Sequence, residues 1–131
     1  MKPYTYNAEV LSVYDGDSLT LLVDLGFGME SKRKVRLLGI NAPELRSRKK
    51  GKAKQIEKQA AIEARDFLRS LLPTGTKVIL WSVKMDVYGR SLGCVYLDGM
   101  SVSNDMLNNT QAIRYDGIGK ATWEPPTNPK D

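Results

Sequence analysis

Only one long stretch of this chain reads as a helix, and it falls between two sets of β-rich runs. From Gln55 to Leu72 the residues Ala60, Ala64, Phe67, Leu68 and Leu71 recur on one helical face, while Lys58, Arg65 and Arg69 lie elsewhere. Pro73-Thr74-Gly75 ends the pattern. Before it, Val10 to Val13, Leu19 to Leu25 and Lys34 to Ile40 read as strands; after it, Lys77 to Val83 and Ser91 to Leu97 do. Asp15-Gly16 between the first two apolar runs is a strong hairpin signal. The third run is nearly continuous in apolar residues and should be central. Both faces of Lys77 to Val83 are apolar, so that strand is expected to be largely buried. Val102 to Leu107 suits a short helix, with Ser101 or Ser103 as its N-cap. Five strands, one long helix between the third and fourth, and a short C-terminal helix make an all-β core with helices (α+β) in the arrangement of a five-stranded OB-fold barrel.

The chain has 131 residues, a size for one domain, and 41% of them are hydrophobic, enough for a packed core. Residues 1–118 are read as that domain, and 119–131 as an extended or disordered tail, because Pro125, Pro126 and Pro129 crowd its end. Twenty Lys and Arg against 15 Asp and Glu give a net charge of +5, which suits a polyanionic partner. Residues 46–54 hold six cations among nine and are expected to form a loop, free in solvent or against a phosphate backbone. There is no histidine, which excludes histidine-based acid–base chemistry and histidine-bound zinc. Cys94 is the one cysteine and reads as a small core residue; no histidine exists to activate it. No segment has membrane-spanning length and no apolar leader opens the sequence, so a cytoplasmic protein, away from membranes, is expected.

Three short motifs carry possible chemistry. They are Asp15-Gly16-Asp17-Ser18, Arg36-Leu37-Leu38-Gly39-Ile40-Asn41-Ala42-Pro43-Glu44, and Asp86-Val87-Tyr88-Gly89-Arg90. Carboxylates can hold a divalent cation, and guanidinium groups can grip a phosphate through paired hydrogen bonds. Arg36 interrupts an apolar strand, so it needs a partner or a cleft. Taken singly, each motif also reads as an ordinary turn or surface charge.

In their order and spacing, with the helix between the second and third, these motifs resemble the staphylococcal (micrococcal) nuclease, or thermonuclease, family over about Tyr4 to Asp116. The resemblance implies an OB-fold, calcium-dependent enzyme that hydrolyses phosphodiester bonds of DNA or RNA and leaves 3′-phosphate ends. It implies Asp17, Asn41 and the Ala42 backbone carbonyl as metal ligands, with Asp15 behind them. It implies Glu44 as the base that holds the attacking water, and Arg36 and Arg90 on the scissile phosphate. Tyr88 would contact the nucleotide, and Tyr115 would line the same pocket. Arg48, Lys49 and Lys50 are expected to meet the nucleic-acid backbone, and the domain to act as a monomer. Asn41 stands where the best-known members carry Asp. Asn keeps an oxygen donor but removes a charge, so the expectation is weaker calcium binding or acceptance of other divalent ions. A non-catalytic nucleic-acid-binding OB module is the alternative, and a domain whose basic loop binds acidic protein is a third.

Overall fold

A computed structural model describes residues 2–116 and 122–126. Strand β1 (Thr5–Asp15) turns into β2 (Ser18–Gly26), which turns into β3 (Met29–Leu37). A short β4 (Ile40–Asn41) follows, then helix α1 (Gly51–Leu71), β5 (Lys77–Met85), β6 (Ser91–Leu97), β7 (Met100–Ser101), α2 (Val102–Asn109) and β8 (Ile113–Arg114). The sheet order is β3-β2-β1-β5-β6-β7, and a parallel pairing of β3 with β6 closes it. Strands β1, β2, β3, β5 and β6 therefore form a closed five-stranded barrel of the OB type, with two helices.

The apolar runs read as strands in the sequence are what fill the barrel. Val10, Leu21, Val35, Leu80 and Val95 point inward and are almost wholly buried. Ala64, Leu68 and Leu72 of α1 and its C-terminal turn join the same core. Ser101 caps α2 by accepting a hydrogen bond from Asn104 N at 3.3 Å, as expected of a serine at that place.

Three local expectations change. The Lys34–Ile40 run is two strands, because Leu38-Gly39 turns the chain; Gly39 has φ +91°, open to glycine at little cost. The helix begins at Gly51, so Lys52 and Lys54 are helical; both are exposed, where solvent screens their mutual repulsion. Strand β5 buries Val78 and Leu80 but leaves Ile79 and Val83 exposed, since among the described residues no layer covers the outside of the barrel there. Trp81, on that outer face, is covered in part by Lys2, whose ammonium lies 3.7 Å from the ring centre. Most of the 119–131 tail lies outside the described residues. Within it, residues 122–126 form neither helix nor strand, and Trp123 is buried, its indole N–H donating to Gln111 O at 2.6 Å.

Candidate functional site

The first two motifs meet at the β1–β2 turn. Gly16 sits under Ala42 and against α1: a Cβ placed on it would stand 2.9 Å from the Cβ of Ala42 and 2.9 Å from that of Ala64. Its missing side chain lets the turn approach the segment after β4. That approach carries Asp17 to Ala42, whose amide donates to Asp17 Oδ2 at 2.9 Å. Asp17 Oδ1 accepts from Ser18 Oγ at 3.1 Å.

Arg36, part-buried, has found the partners that its place in an apolar strand demanded. One guanidinium nitrogen lies 3.3 Å from Asp17 Oδ2 and donates to the carbonyls of Leu37 and Ile40 at 3.1 and 3.2 Å. The other donates to Asn41 Oδ1 at 3.4 Å. The guanidinium thus ties the β3–β4 corner to the β1–β2 turn. The corner is fastened elsewhere too, by Leu37 N to Asp17 O at 2.8 Å and Ser103 Oγ to Leu38 O at 2.8 Å.

Asp15 accepts from the Asp17 amide at 3.1 Å. Burial, with the charge of Asp17 beside it, raises the Asp15 carboxyl to about 7. The donors around the turn, two carboxylates, the Asn41 amide oxygen and backbone carbonyls, are all hard oxygens, the set that suits calcium or magnesium rather than zinc. Among the described residues no group of three or more acidic or thiol side chains gathers as a metal site. The residues fit a hard cation in kind, at the low-charge end.

Arg90 arrives from the far side of α1. It precedes Ser91, which pairs with Val35 across the β3–β6 seam. Its Nε donates to Asp86 Oδ2 at 2.7 Å. Burial would raise the Asp86 carboxyl, but hydrogen bonds from Arg90 and Tyr88 outweigh it and hold the group below its ordinary value. Arg90, Asp15, Ser18, Lys34 and Arg69 line a recess of about 460 Å³. Glu44, Arg48, Lys49 and Tyr88 line a second, of about 700 Å³, together with Glu57, Thr122 and Trp123. Tyr88 is exposed, and the Arg90 guanidinium carbon lies 5.9 Å from its ring centre. Arg48 and Lys50 are exposed. Tyr115 lines a shallow recess with Gly39 and Arg114, apart from Tyr88, and its amide donates to Gly39 O at 3.1 Å.

Two residues matter here that the sequence reading passed over or placed differently. Glu57, on the apolar stripe of α1, is buried and accepts from the Glu44 amide at 2.8 Å and from Ser47 Oγ at 2.7 Å. The signal was present, since an acid stands three residues before Ala60 on a core-facing stripe. Lys49 turns inward. Its ammonium donates to Trp123 O at 2.6 Å, sits 3.4 Å from Glu57 and 3.6 Å from Glu124, and lies over the Trp123 ring.

The fold and site define an OB-barrel domain that carries an acidic turn, a part-buried arginine clamp and cation-lined recesses. Comparison with known proteins makes the class particular. The family model described as staphylococcal nuclease homologue matches residues 34–125, and the chain belongs to that family, whose members are generally nuclease hydrolases. The Asp15–Ser18 motif precedes the matched span. The chain is 28% identical over 82 residues to an uncharacterized lipoprotein of Mycoplasma genitalium, covering 63% of this chain and 31% of that protein. It is 33% identical over 66 residues to the homologous Mycoplasma pneumoniae lipoprotein, covering 50% of this chain and 22% of the relative. The chain thus spans less than a third of the length of either relative. Among the described residues no helix is long and apolar enough to cross a membrane.

Proposed function

We propose that this domain is a metal-dependent nuclease that hydrolyses phosphodiester bonds of DNA or RNA and leaves 3′-phosphate ends. The observation that carries the reading is the Asp17–Arg36–Asn41–Ala42 cluster, held together by direct hydrogen bonds two residues upstream of Glu44. Family membership supports it.

Asp17, Asn41 and the Ala42 carbonyl would hold the cation, calcium by family, with Asp15 behind them. Bound there, such an ion polarises a phosphate oxygen and lowers the proton affinity of water. The chain's own groups do the rest. Glu44, exposed on the wall of its recess, takes the proton of the attacking water. Attack puts extra negative charge on the phosphate oxygens, and guanidinium donors gain most at that moment. Arg90, half-buried and lining a different recess from Glu44, would have to reach that charge from one side. Arg36 meets it from the other and keeps the corner that carries Asn41 and Ala42 in place. Tyr88 offers a ring for a base, Arg48 and Lys50 offer charge to the backbone, and Tyr115 lies at a separate recess that a longer substrate would reach. Lys49 acts within the fold.

A general base commonly contributes about 10²–10⁴-fold, so Glu44→Gln should abolish measurable cleavage while leaving oligonucleotide binding intact. The test incubates wild type and Glu44→Gln with single- and double-stranded DNA and RNA, in calcium, in magnesium and with chelator. Metal-dependent fragmentation lost in the variant supports the nuclease. Salt-sensitive binding of intact substrate under every condition supports instead a non-catalytic OB module. One observation favours that second reading: no third acid joins Asp15 and Asp17 among the described residues. That both mycoplasma relatives are lipoproteins speaks for a membrane-attached or exported setting over a purely cytoplasmic one.

A further inference from the structure

Glu57 is a carboxylate where packing alone would ask for an alanine or a leucine. It shares the inward stripe of α1 with Ala60, Ala61, Ala64 and Leu68, and is 4% exposed. Burying a charge is costly unless hydrogen bonds and a counter-charge offset it. All are supplied by the irregular segment between β4 and α1: the Glu44 amide at 2.8 Å, Ser47 Oγ at 2.7 Å and the Lys49 ammonium at 3.4 Å. Ser47 is itself buried, and its Oγ accepts from the Lys49 amide at 3.1 Å. Lys49 extends the chain of contacts to the Trp123 carbonyl. One side chain of a rigid helix therefore fixes a loop that has no regular hydrogen bonding of its own, and fixes it at the backbone of Glu44.

We propose that Glu57 is a positioning residue for Glu44: its carboxylate holds the Glu44 backbone so that the Glu44 side chain faces the recess, and Lys49 fastens the same loop to the segment at Trp123. The inference rests on the nuclease reading given above. Glu57 touches neither phosphate nor water in this scheme and acts only through the Glu44 main chain.

The chemistry of the contact selects the variants. In Glu57→Gln the amide oxygen can still accept from the Glu44 N–H, and the amide nitrogen can donate to Ser47 Oγ, whose hydroxyl is free to rotate. Glu57→Leu keeps the volume and the apolar stripe but offers Glu44 nothing. Misplacing a reacting group by about 1 Å can cost about 10²-fold in rate. The expected result is a fall in kcat of about that size for Glu57→Leu, with KM within a few-fold of wild type, and recovery of most of it in Glu57→Gln. Amide exchange at residue 44 should quicken in Glu57→Leu while exchange in β1 and β2 stays as in wild type. Should Glu57→Leu not fold because Lys49 is stranded, Glu57→Leu with Lys49→Met is measured in its place. A folded Leu variant with wild-type kcat, or a Gln variant as impaired as the Leu one, overturns the proposal. Wild type that cleaves nothing overturns the nuclease reading instead, and residue 44 exchange then still decides whether Glu57 holds the loop.

Discussion

Gly16→Ala tests the link between packing and the acidic turn. The new methyl would lie 2.9 Å from the Cβ atoms of both Ala42 and Ala64, with the Met106 methyl at 3.6 Å. Carbon atoms in contact prefer about 3.5–4.0 Å, so something must give by more than half an ångström or so. Alanine Cβ atoms cannot swing aside, and the flexible Met106 end is not the problem. The β1–β2 turn has to lift. Overpacking of this kind costs about 1–3 kcal/mol, and the lower chain entropy of alanine returns about 0.4–1 kcal/mol. A net loss of about 1–2 kcal/mol is expected, a fall in Tm of roughly 3–8 °C for a domain of this size. Lifting the turn also stretches the 2.9 Å bond from Ala42 N to Asp17 Oδ2, so the Ala42 amide resonance should move and calcium affinity should drop. Urea unfolding of wild type, Gly16→Ala, Ala64→Gly and the double variant measures the contact. Ala64→Gly alone costs about 1 kcal/mol as a helix glycine, and the double variant should be more stable than the summed singles by about 0.5–1 kcal/mol. A Gly16→Ala protein as stable as wild type, or a strictly additive cycle, would refute the reasoning.

Three further outcomes follow from the same geometry. Asp15 binds its proton more tightly in the fold, at about 7, than in the unfolded chain at 3.8, so stability from this group is full below about pH 4 and lost as pH rises to 7. Asp15→Asn should therefore raise stability at pH 8 by on the order of 2 kcal/mol, where a tenfold change in proton affinity is about 1.4 kcal/mol, and change nothing near pH 3.5; equal gains at both pH values would contradict it. Asn41→Asp restores a charged oxygen and should tighten calcium binding on the order of tenfold, read by calorimetric titration, with unchanged affinity counting against Asn41 as a ligand. Trp123→Ala should cost about 3–5 kcal/mol, because the ring is buried and its N–H is bonded to Gln111 O; an unaltered unfolding midpoint would show that the segment does not dock in solution.

Much of this was legible in the residues themselves. The five apolar runs read as strands and the single long apolar helical stripe between the third and fourth pointed to a barrel with one helix inserted. Arg36 announced a need for partners, and Asp17 and Asn41 supply them. What pattern could not convey is contact between distant segments. Gly16 looks like turn chemistry, yet its role is close approach to Ala42 and Ala64. Lys49 reads as one more cation in a basic run, but a buried acid on α1 and an indole beyond Gln111 draw it inward. Ile79 and Val83 are apolar without being buried, because periodicity reports a residue's chemistry and not whether a layer covers it.

The parallel pairing of β3 with β6 bears on the order in which the candidate site is assembled. Arg36 rides on β3 and Arg90 leads into β6, with α1 and β5 between them in the chain. Contacts between segments so far apart close late, because the intervening loop entropy must be overcome first. Until β6 docks, the chain already carries Arg36 and the whole acidic turn, but the seam that sets the start of β6 beside β3 does not yet exist. On the nuclease reading proposed above, cleavage would therefore have to wait until β6 has paired with β3.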